Sequence, residues 1–303
     1  MRAEITNRVR LVLSSVQIDY VKWDMNRPLS HAGSPGGDSR FAQGELRHRQ
    51  MLGVYAMMRE LTEAFPDILF EGCSGGGGRM DYGILHFMPQ YWASDNTDAL
   101  ARLGIQYSTS VFFPPLAMGC HVSAVPNHQT GRALPLRSRG FVAMSGNLGF
   151  ELDVTKMTAQ ETRRMTADIA WYKTNRGLLQ FGRFVRLASP WDSNEAAWMF
   201  AEPDGSRAVL FWYRLLAQAN PGCVRLRLEG LDAHADYRIS AISHTMEDNI
   251  EPGSNRDAMI NAAMRDMGLG KVVSGSELLY RGLVFRVPEG DCAGLRVELT
   301  REA

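Results

Sequence analysis

The sequence has few cysteines, no excess of charge of either sign and no long apolar run, and each absence excludes a class of protein. Its four cysteines, Cys73, Cys120, Cys223 and Cys292, are widely scattered, so neither a CxxC-type zinc site nor a small disulfide framework is expected. The 33 basic and 33 acidic residues balance, so nothing favours nucleic acid or an anionic membrane as a partner.

Membrane and secretory signals are also absent from the sequence. No apolar run approaches the ~18 residues that a membrane-spanning helix needs. Residues 1–8 contain no apolar core of signal-peptide length. We therefore expect a protein of the reducing, cytoplasmic compartment, with no membrane partner and no nucleic-acid partner.

The length and composition are typical of a globular protein. With 303 residues, the chain can form one large domain or two ordinary ones. The content of 45% hydrophobic and 22% charged residues fits a folded chain with a sizeable core.

Strand and helix patterns alternate over residues 1–180, which predicts parallel strands joined by right-handed crossovers. The helix predicted at 158–176 begins with a capping-box pattern at Thr158 and Glu161. The predicted strands are 16–23, 67–71, 91–94, 116–122 and 141–144. The predicted helices are 1–15, 40–65, 97–107 and 158–176, with a loop rich in Pro, Ser and Gly at 28–38.

The pattern changes after about residue 180, where short strands are separated by turn signals such as Pro203-Asp204-Gly205. Apolar and charged residues alternate around Val224, as in an antiparallel sheet with one solvated face. Residues 181–303 are therefore predicted to form a small antiparallel β domain. Its predicted strands are 183–188, 196–201, 207–213, 223–229, 236–242, 283–287 and 294–299.

The predicted fold class is α/β, with a partial (β/α)8 barrel over residues 1–180 followed by a small antiparallel β-sandwich domain over 181–303. A closed barrel needs eight βα units and typically ~250 residues. Only about five units are recognisable here. Either the sheet is open and doubly wound, or the chain lacks the first strands of a barrel.

Two carboxylates follow predicted strands within polar segments. Asp24 comes directly after the strand at 16–23, and Asp95 comes directly after the strand at 91–94. Because functional side chains of parallel barrels gather at the carboxyl ends of the strands, we expect the two acids to face one another. Glycoside hydrolysis needs such a pair, since one acid attacks the sugar and the other protonates the departing oxygen. A retaining enzyme has these carboxyl groups ~5–5.5 Å apart and an inverting one above ~6.5 Å.

Lys22 precedes Asp24 by two positions, so both side chains lie on the same face of the strand. A cation at that position keeps Asp24 ionised, which suits a nucleophile. The alternative interpretation is a surface ion pair at a strand end.

Asp95 and Asp98 compete for the role of the acid. Asp98 falls in the first turn of the predicted helix 97–107, where a carboxylate favourably meets the helix dipole, so we assign it a structural role. Asp95 is the candidate acid. We expect partial burial to keep Asp95 protonated, with Tyr91 and Trp92 either supplying the apolar cover or belonging to the core.

The glycine-rich run at 72–78 allows three interpretations. A phosphate loop is disfavoured, because the GxxxxGK[ST] spacing is missing. A nucleophile elbow would make Ser74 the nucleophile of a serine esterase, since Gly72-Cys73-Ser74-Gly75-Gly76 matches G-x-S-x-G, but the glycines that follow are a poor helix start. We prefer a tight loop whose lack of side chains lets a sugar approach the backbone, with Cys73 and Ser74 directed at the ligand.

His121 and His128 suggest a metal site, but neither HExxH nor i,i+4 spacing is present. Loop packing or an indirect hydrogen bond is the favoured interpretation, and no metal ligand is assigned.

Several segments resemble the α-galactosidases of glycoside hydrolase family 36. They are residues 22–27 (KWDMNR), 71–79 (EGCSGGGGR), 92–99 (WASDNTDA), 118–131 and 144–151. The first three of these segments are long motifs in the right order, which makes the resemblance specific, and the similarity runs along nearly all of the chain.

The resemblance implies Asp24 as nucleophile and Asp95 as acid/base of a retaining mechanism. It also implies that Lys22, Asn26 and Cys73 contact the galactose that is cleaved. Expected substrates are α-1,6-galactosides such as melibiose and raffinose, without a metal or organic cofactor. The full-length protein is expected to be a homo-oligomer, since bacterial members are often tetramers.

The chain departs from the family in one respect. Relatives carry an N-terminal β-sandwich domain and a complete barrel whose nucleophile is on the fourth strand, whereas Asp24 lies near the start of this sequence. The chain is therefore expected to be a C-terminal fragment containing about strands 4–8. The family's upstream sugar-binding residues, namely an aspartate pair, an arginine and a tryptophan, have no counterpart here, so the isolated chain could be an inactive remnant.

Overall fold

A computed structural model describes residues 2–26, 33, 43–245, 254–286 and 290–302. The chain divides into two compact units, Met1–Asp95 and Asn96–Ala303. Most of the loop predicted at 28–38 lies outside the described residues, as do residues 40–42 of the predicted second helix. Within the described ranges, every helix is too short or too polar to cross a membrane.

The first unit contains three parallel strands and the helices between them. Its strands pair in parallel, with Lys22 opposite Glu71 and Glu71 opposite Gln90. The apolar side chains of the first strand, Val21 and Trp23, alternate with polar ones and pack into a core with Met58, Leu61 and Phe70. The elements are α1 (Arg2–Ser15), β1 (Tyr20–Asp24), a 3-10 turn (Gln43–Glu45), α2 (Leu46–Ala64), β2 (Leu69–Cys73), α3 (Tyr82–Leu85) and β3 (Gln90–Trp92).

The second unit begins with two further parallel strands and three helices. They are α4 (Ala99–Phe112), β4 (Met118–Ser123), α5 (Leu136–Ala143), β5 (Asn147–Glu151) and α6 (Ala159–Phe181). Strands β4 and β5 pair in parallel from Gly119 opposite Asn147 to Ser123 opposite Glu151. The capping box predicted for α6 is present, because Thr158 and Glu161 each accept a backbone N–H of the other.

The strand predicted at 141–144 is wrong, because these residues end α5 and its C-cap, and the strand lies at β5 instead. Every residue of α5 is buried. A helix buried on all sides shows no amphipathic period, so its apolar run cannot be told from a buried strand by pattern alone.

The rest of the second unit is antiparallel. The strands are β6 (Arg183–Ala188), β7 (Glu195–Ala201), β8 (Arg207–Arg214), β9 (Cys223–Leu226), β10 (Asp236–His244), β11 (Val272–Ser274), β12 (Leu283–Arg286) and β13 (Ala293–Arg301). One sheet has the order β11-β10-β13-β8-β7-β6, and β12 pairs with β9 in a second. The helices are α7 (Asn255–Asp266) and α8 (Gly275–Tyr280).

Strand β11 was not predicted from the sequence. The other strands of this part fall on predicted segments, although β9 ends earlier than predicted and residue 287 lies outside the described ranges. The fold class is thus a partial (β/α)8 barrel followed by an antiparallel β-sandwich region. The domain boundary at residue 180 stays a prediction, since the compact units divide elsewhere.

Candidate functional site

The polar side chains of β1, β2 and β3 form rows on one face of the sheet. Residues paired in a parallel ladder point the same way, and so do residues two apart on one strand. One row contains Lys22 and Glu71, and the next contains Asp24 and Cys73, which are opposite one another in the ladder. Asp24 therefore lies at the carboxyl end of β1, as predicted.

Cys73 joins the two predicted acids. Its sulfur lies 3.9 Å from Oδ1 of Asp95. Burial, together with a hydrogen bond to the Asp24 carboxylate, raises the pKa of the Cys73 thiol to about 12. The thiol is therefore a neutral donor between Asp24 and Asp95, and the structure brings both carboxylates to one small region.

Both acids are open to solvent. Asp24 and Asp95 are exposed, whereas Tyr91 and Trp92 are 2% and 3% exposed. The partial burial expected for Asp95 is therefore not observed, although the neighbouring aromatic side chains are themselves buried. An exposed pair of carboxylates is suited to a polar, hydroxyl-bearing ligand.

Lys22 stands beside these acids with its ammonium held on two sides. Its Nζ lies 3.8 Å from Oε1 of Glu71 and 4.9 Å from the ring centre of Trp92. The ammonium thus has a fixed place one row below Asp24, from which it can donate hydrogen bonds.

The glycine-rich run at 72–78 forms a tight turn, which we call the glycine loop. The hydroxyl of Ser74 donates to the carbonyl of Met25 at 2.6 Å. The backbone N–H of Gly75 donates to Oδ1 of Asn26 at 2.8 Å. These bonds tie the segment that follows β1, which includes Asn26, to the glycine loop, which includes Ser74.

The glycines allow the loop to lie against the backbone that carries Asp95. Gly76 has a φ of +74°, and a Cβ there would lie 2.5 Å from the Cα of Ser94. The N–H of Gly77 donates to the carbonyl of Ala93 at 3.0 Å. Glycine is therefore needed here so that two backbone segments of the same chain can contact one another, in addition to any approach of a sugar.

The local structure does not favour a nucleophile elbow at Ser74. Such an elbow needs a helix directly after the serine. Here Gly75 and Gly76 adopt positive φ, and α3 begins only at Tyr82.

Asp98 occupies the N-cap of α4, one residue before the helix. Its carboxylate accepts from the N–H of Leu100 at 3.3 Å and from Nε of Arg132 at 3.0 Å. The residue is 4% exposed. These contacts are those of a buried helix cap paired with a cation.

The two histidines that suggested a metal site differ in exposure and in contacts. Nδ1 of His121 is 3.5 Å from the Glu151 carboxylate, and His128 is exposed. Among the described residues, no group of three histidine, cysteine, aspartate or glutamate side chains is arranged to hold a metal.

One residue of the site was not assigned from the sequence. Glu71 is 2% exposed and contacts Tyr20, Lys22 and Gln90. The sequence shows that Glu71 directly precedes the glycine loop. It does not show the three partners of Glu71, which come from two other strands.

Comparison with known proteins gives two family matches. Residues 1–182 match the model described as Melibiase. Residues 195–299 match the glycosyl hydrolase family 36 C-terminal domain.

Curated relatives cover most of this chain, but the chain covers only part of them. The α-galactosidase AgaA of Geobacillus stearothermophilus is 54% identical over 78% of the chain and 32% of the relative. Alpha-galactosidase 1 of Pediococcus pentosaceus is 47% identical over the same shares. The chain thus spans about a third of the length of these relatives.

Solved structures likewise match nearly all of this chain, while this chain covers only part of them. A crystal structure of a variant of AgaA in complex with raffinose has a TM-score of 0.86 and 46% identity, covering 99% of this chain and 38% of that one. The α-galactosidase of Lactobacillus brevis has a TM-score of 0.82 and 34% identity, covering 100% and 38%.

Proposed function

The chain belongs to glycoside hydrolase family 36, and we propose that it provides the two catalytic acids of a retaining α-galactosidase. The observation that supports the proposal is the Cys73 thiol, which contacts the carboxylates of both Asp24 and Asp95. Two acids that share one small neighbour are close enough to act on one glycosidic bond.

The proposed reaction is a double displacement. In the first step the Asp24 carboxylate attacks the anomeric carbon, while Asp95 gives its proton to the departing oxygen. A covalent galactosyl ester on Asp24 results. In the second step Asp95 takes a proton from water, the water oxygen attacks the anomeric carbon, and the ester bond to Asp24 breaks.

Four further residues are proposed to contact the sugar. The Lys22 ammonium and the Cys73 thiol offer donors to its hydroxyl groups. Asn26 and Ser74 already use one group each inside the protein, the amide oxygen and the hydroxyl proton. The amide N–H groups of Asn26 and the oxygen lone pairs of Ser74 are what these residues would offer.

The proposed substrates are oligosaccharides of the melibiose and raffinose type with a terminal α-1,6-linked galactose. A variant of the related AgaA has been crystallised with raffinose and another with stachyose. The proposal extends to a cytoplasmic location, and to a homotetramer for the full-length protein. We also propose that the catalytic part ends near residue 180.

The stereochemical course tests the proposal. The 303-residue chain is incubated with 4-nitrophenyl α-galactopyranoside, and the anomer released first is identified by proton NMR. Release of α-galactose first, with carboxyl groups ~5–5.5 Å apart in an experimental structure, is expected for retention. Release of the β-anomer would contradict the retaining mechanism, and absence of turnover would favour an inactive remnant.

Variants identify the residues that act. Asp24→Ala and Asp95→Ala are expected to abolish turnover, whereas Asp67→Ala removes an exposed carboxylate at the opposite end of β2 and is the matched control. Ester cleavage that is lost in Ser74→Ala and kept in Asp24→Ala would identify a serine esterase instead.

A further inference from the structure

Glu71 is a buried carboxylate to which the proposed reaction gives no role. The residue lies in β2, directly before the glycine loop, and is 2% exposed. A buried carboxylate is unfavourable unless hydrogen bonds and a cation compensate the loss of water. The partners of its two oxygens therefore indicate what the residue does.

Neutral donors occupy one oxygen, Oε2. The hydroxyl of Tyr20 donates to it, and Nε2 of Gln90 donates to it at 2.7 Å. Nε2 of Gln90 also donates to the Tyr20 hydroxyl at 3.1 Å, so the three side chains form a closed set. Burial and the bond to Glu71 raise the pKa of Tyr20, which keeps it a donor. These bonds fix the plane of the carboxylate but do not balance its charge.

The other oxygen, Oε1, faces a cation. It accepts no hydrogen bond within the described part of the chain, and Nζ of Lys22 lies 3.8 Å away. The Lys22 side chain is 38% exposed, so its long flexible stem could otherwise take many positions. Glu71 on one side and the Trp92 ring on another restrict the ammonium to one place.

We propose that Glu71 is a positioning residue, which holds the Lys22 ammonium in the row below Asp24 and Cys73. Its carboxylate is oriented by Tyr20 and Gln90, and it directs the N–H donors of Lys22 towards the sugar. The role in sugar binding depends on the proposed function, whereas the positioning of Lys22 does not.

The test observes the ammonium directly. Lysine occurs in this sequence at positions 22, 156, 173 and 271, so NMR spectra of protein labelled with ¹⁵N-lysine contain few ammonium signals. An ammonium held by a buried carboxylate exchanges its protons slowly with water and gives a visible cross-peak. We expect this cross-peak for Lys22, and its loss in the isosteric variant Glu71→Gln.

Two further variants make the result specific. Glu60→Gln is the matched control, because Glu60 pairs with Arg2 at 3.5 Å in the same unit. This substitution is expected to leave the Lys22 signal unchanged. Tyr20→Phe keeps the charge of Glu71 but removes one bond that orients it, so the signal should weaken without vanishing. This variant also decides the proposal if Glu71→Gln does not fold.

Binding of galactose, measured by calorimetry, provides the functional readout. Glu71→Gln should bind galactose about tenfold more weakly than the parent chain, as expected when a charged hydrogen-bond donor is displaced. A Lys22 cross-peak that is the same in folded Glu71→Gln, or absent from the parent, would overturn the positioning role. If the parent binds no galactose, the proposed function fails, and the ammonium signal still decides whether Glu71 positions Lys22.

Discussion

The sulfur of Cys73 lies 3.9 Å from a carboxylate oxygen of Asp95, and the same thiol is hydrogen-bonded to Asp24. One buried thiol is thus in contact with both acids. The rate at which this thiol is alkylated can report on the geometry of the site even in a chain without activity. Alkylation requires the thiolate form of the cysteine, and it does not require a bound sugar.

The first prediction concerns the rate of that alkylation. Removing the negative charge in Asp24→Asn should lower the pKa of Cys73 and accelerate its reaction with iodoacetamide at pH 9. Lys22→Met should slow the reaction, because the cation favours the thiolate. Mass spectrometry of the modified peptide gives both rates, with the exposed Cys223 as internal standard. Equal rates in all three proteins would contradict the contact between Cys73 and Asp24.

The second prediction concerns stability at alkaline pH. Burial raises the pKa of Cys120 to about 11 and that of Cys292 to about 12, from an ordinary value of 9.0. A raised thiol pKa contributes stability that is complete below about pH 9 and is lost as pH rises towards the folded value, by about 1.4 kcal/mol per unit.

Urea unfolding at pH 7, 9 and 10 measures this loss. Cys120→Ala should show a smaller loss of unfolding free energy between pH 9 and 10 than the parent chain. Cys223→Ala, at an exposed thiol, should keep the parent's pH dependence. A Cys120→Ala variant with the same dependence as the parent would contradict the argument.

The third prediction concerns the glycine loop. Gly76→Ala should destabilise the protein by about 2–4 kcal/mol, since it combines a strained positive φ with a clash against Ser94. Gly75→Ala is the matched control. Gly75 also has a positive φ, but nothing lies within 4 Å of the added carbon, so about 1 kcal/mol is expected. Denaturant unfolding compares the two, and similar losses would argue against the close packing of Gly76.

The fourth prediction concerns Asp98. Asp98→Ala removes both the cap of α4 and the pair with Arg132, so a loss of about 2–4 kcal/mol is expected. Asp98→Asn keeps a good N-cap and should lose roughly half as much. The comparison uses urea unfolding of the two variants. Turnover that survives Asp98→Asn but not Asp95→Asn would support Asp95 as the acid.

Local patterns in the sequence predicted much of the site. The two-residue alternation of β1 put Lys22 and Asp24 on one face, and the ladder with β2 confirms that arrangement. The capping box of α6 was equally visible, because its two residues are three positions apart. Features determined by neighbours in sequence could be predicted.

Features determined by long-range packing could not. Every residue of helix α5 is buried, so the apolar run at its end, residues 141–143, shows no helical period that would distinguish it from a buried strand. Glu71 depends on Tyr20 and Gln90, which precede it by 51 residues and follow it by 19. Tyr91 and Trp92 are buried whereas Asp95 is exposed, so adjacency in sequence did not determine whether the aromatic side chains cover the carboxylate.

The alternation of β1 also limits how this segment can change over time. Val21 and Trp23 pack into the apolar core, while Lys22 and Asp24 face the opposite way. Inserting or deleting one residue within the strand would exchange the two faces, moving the carboxylate inward and the indole outward. A substitution in β1 changes one side chain on one face, whereas the insertion or deletion of a single codon exchanges both faces at once.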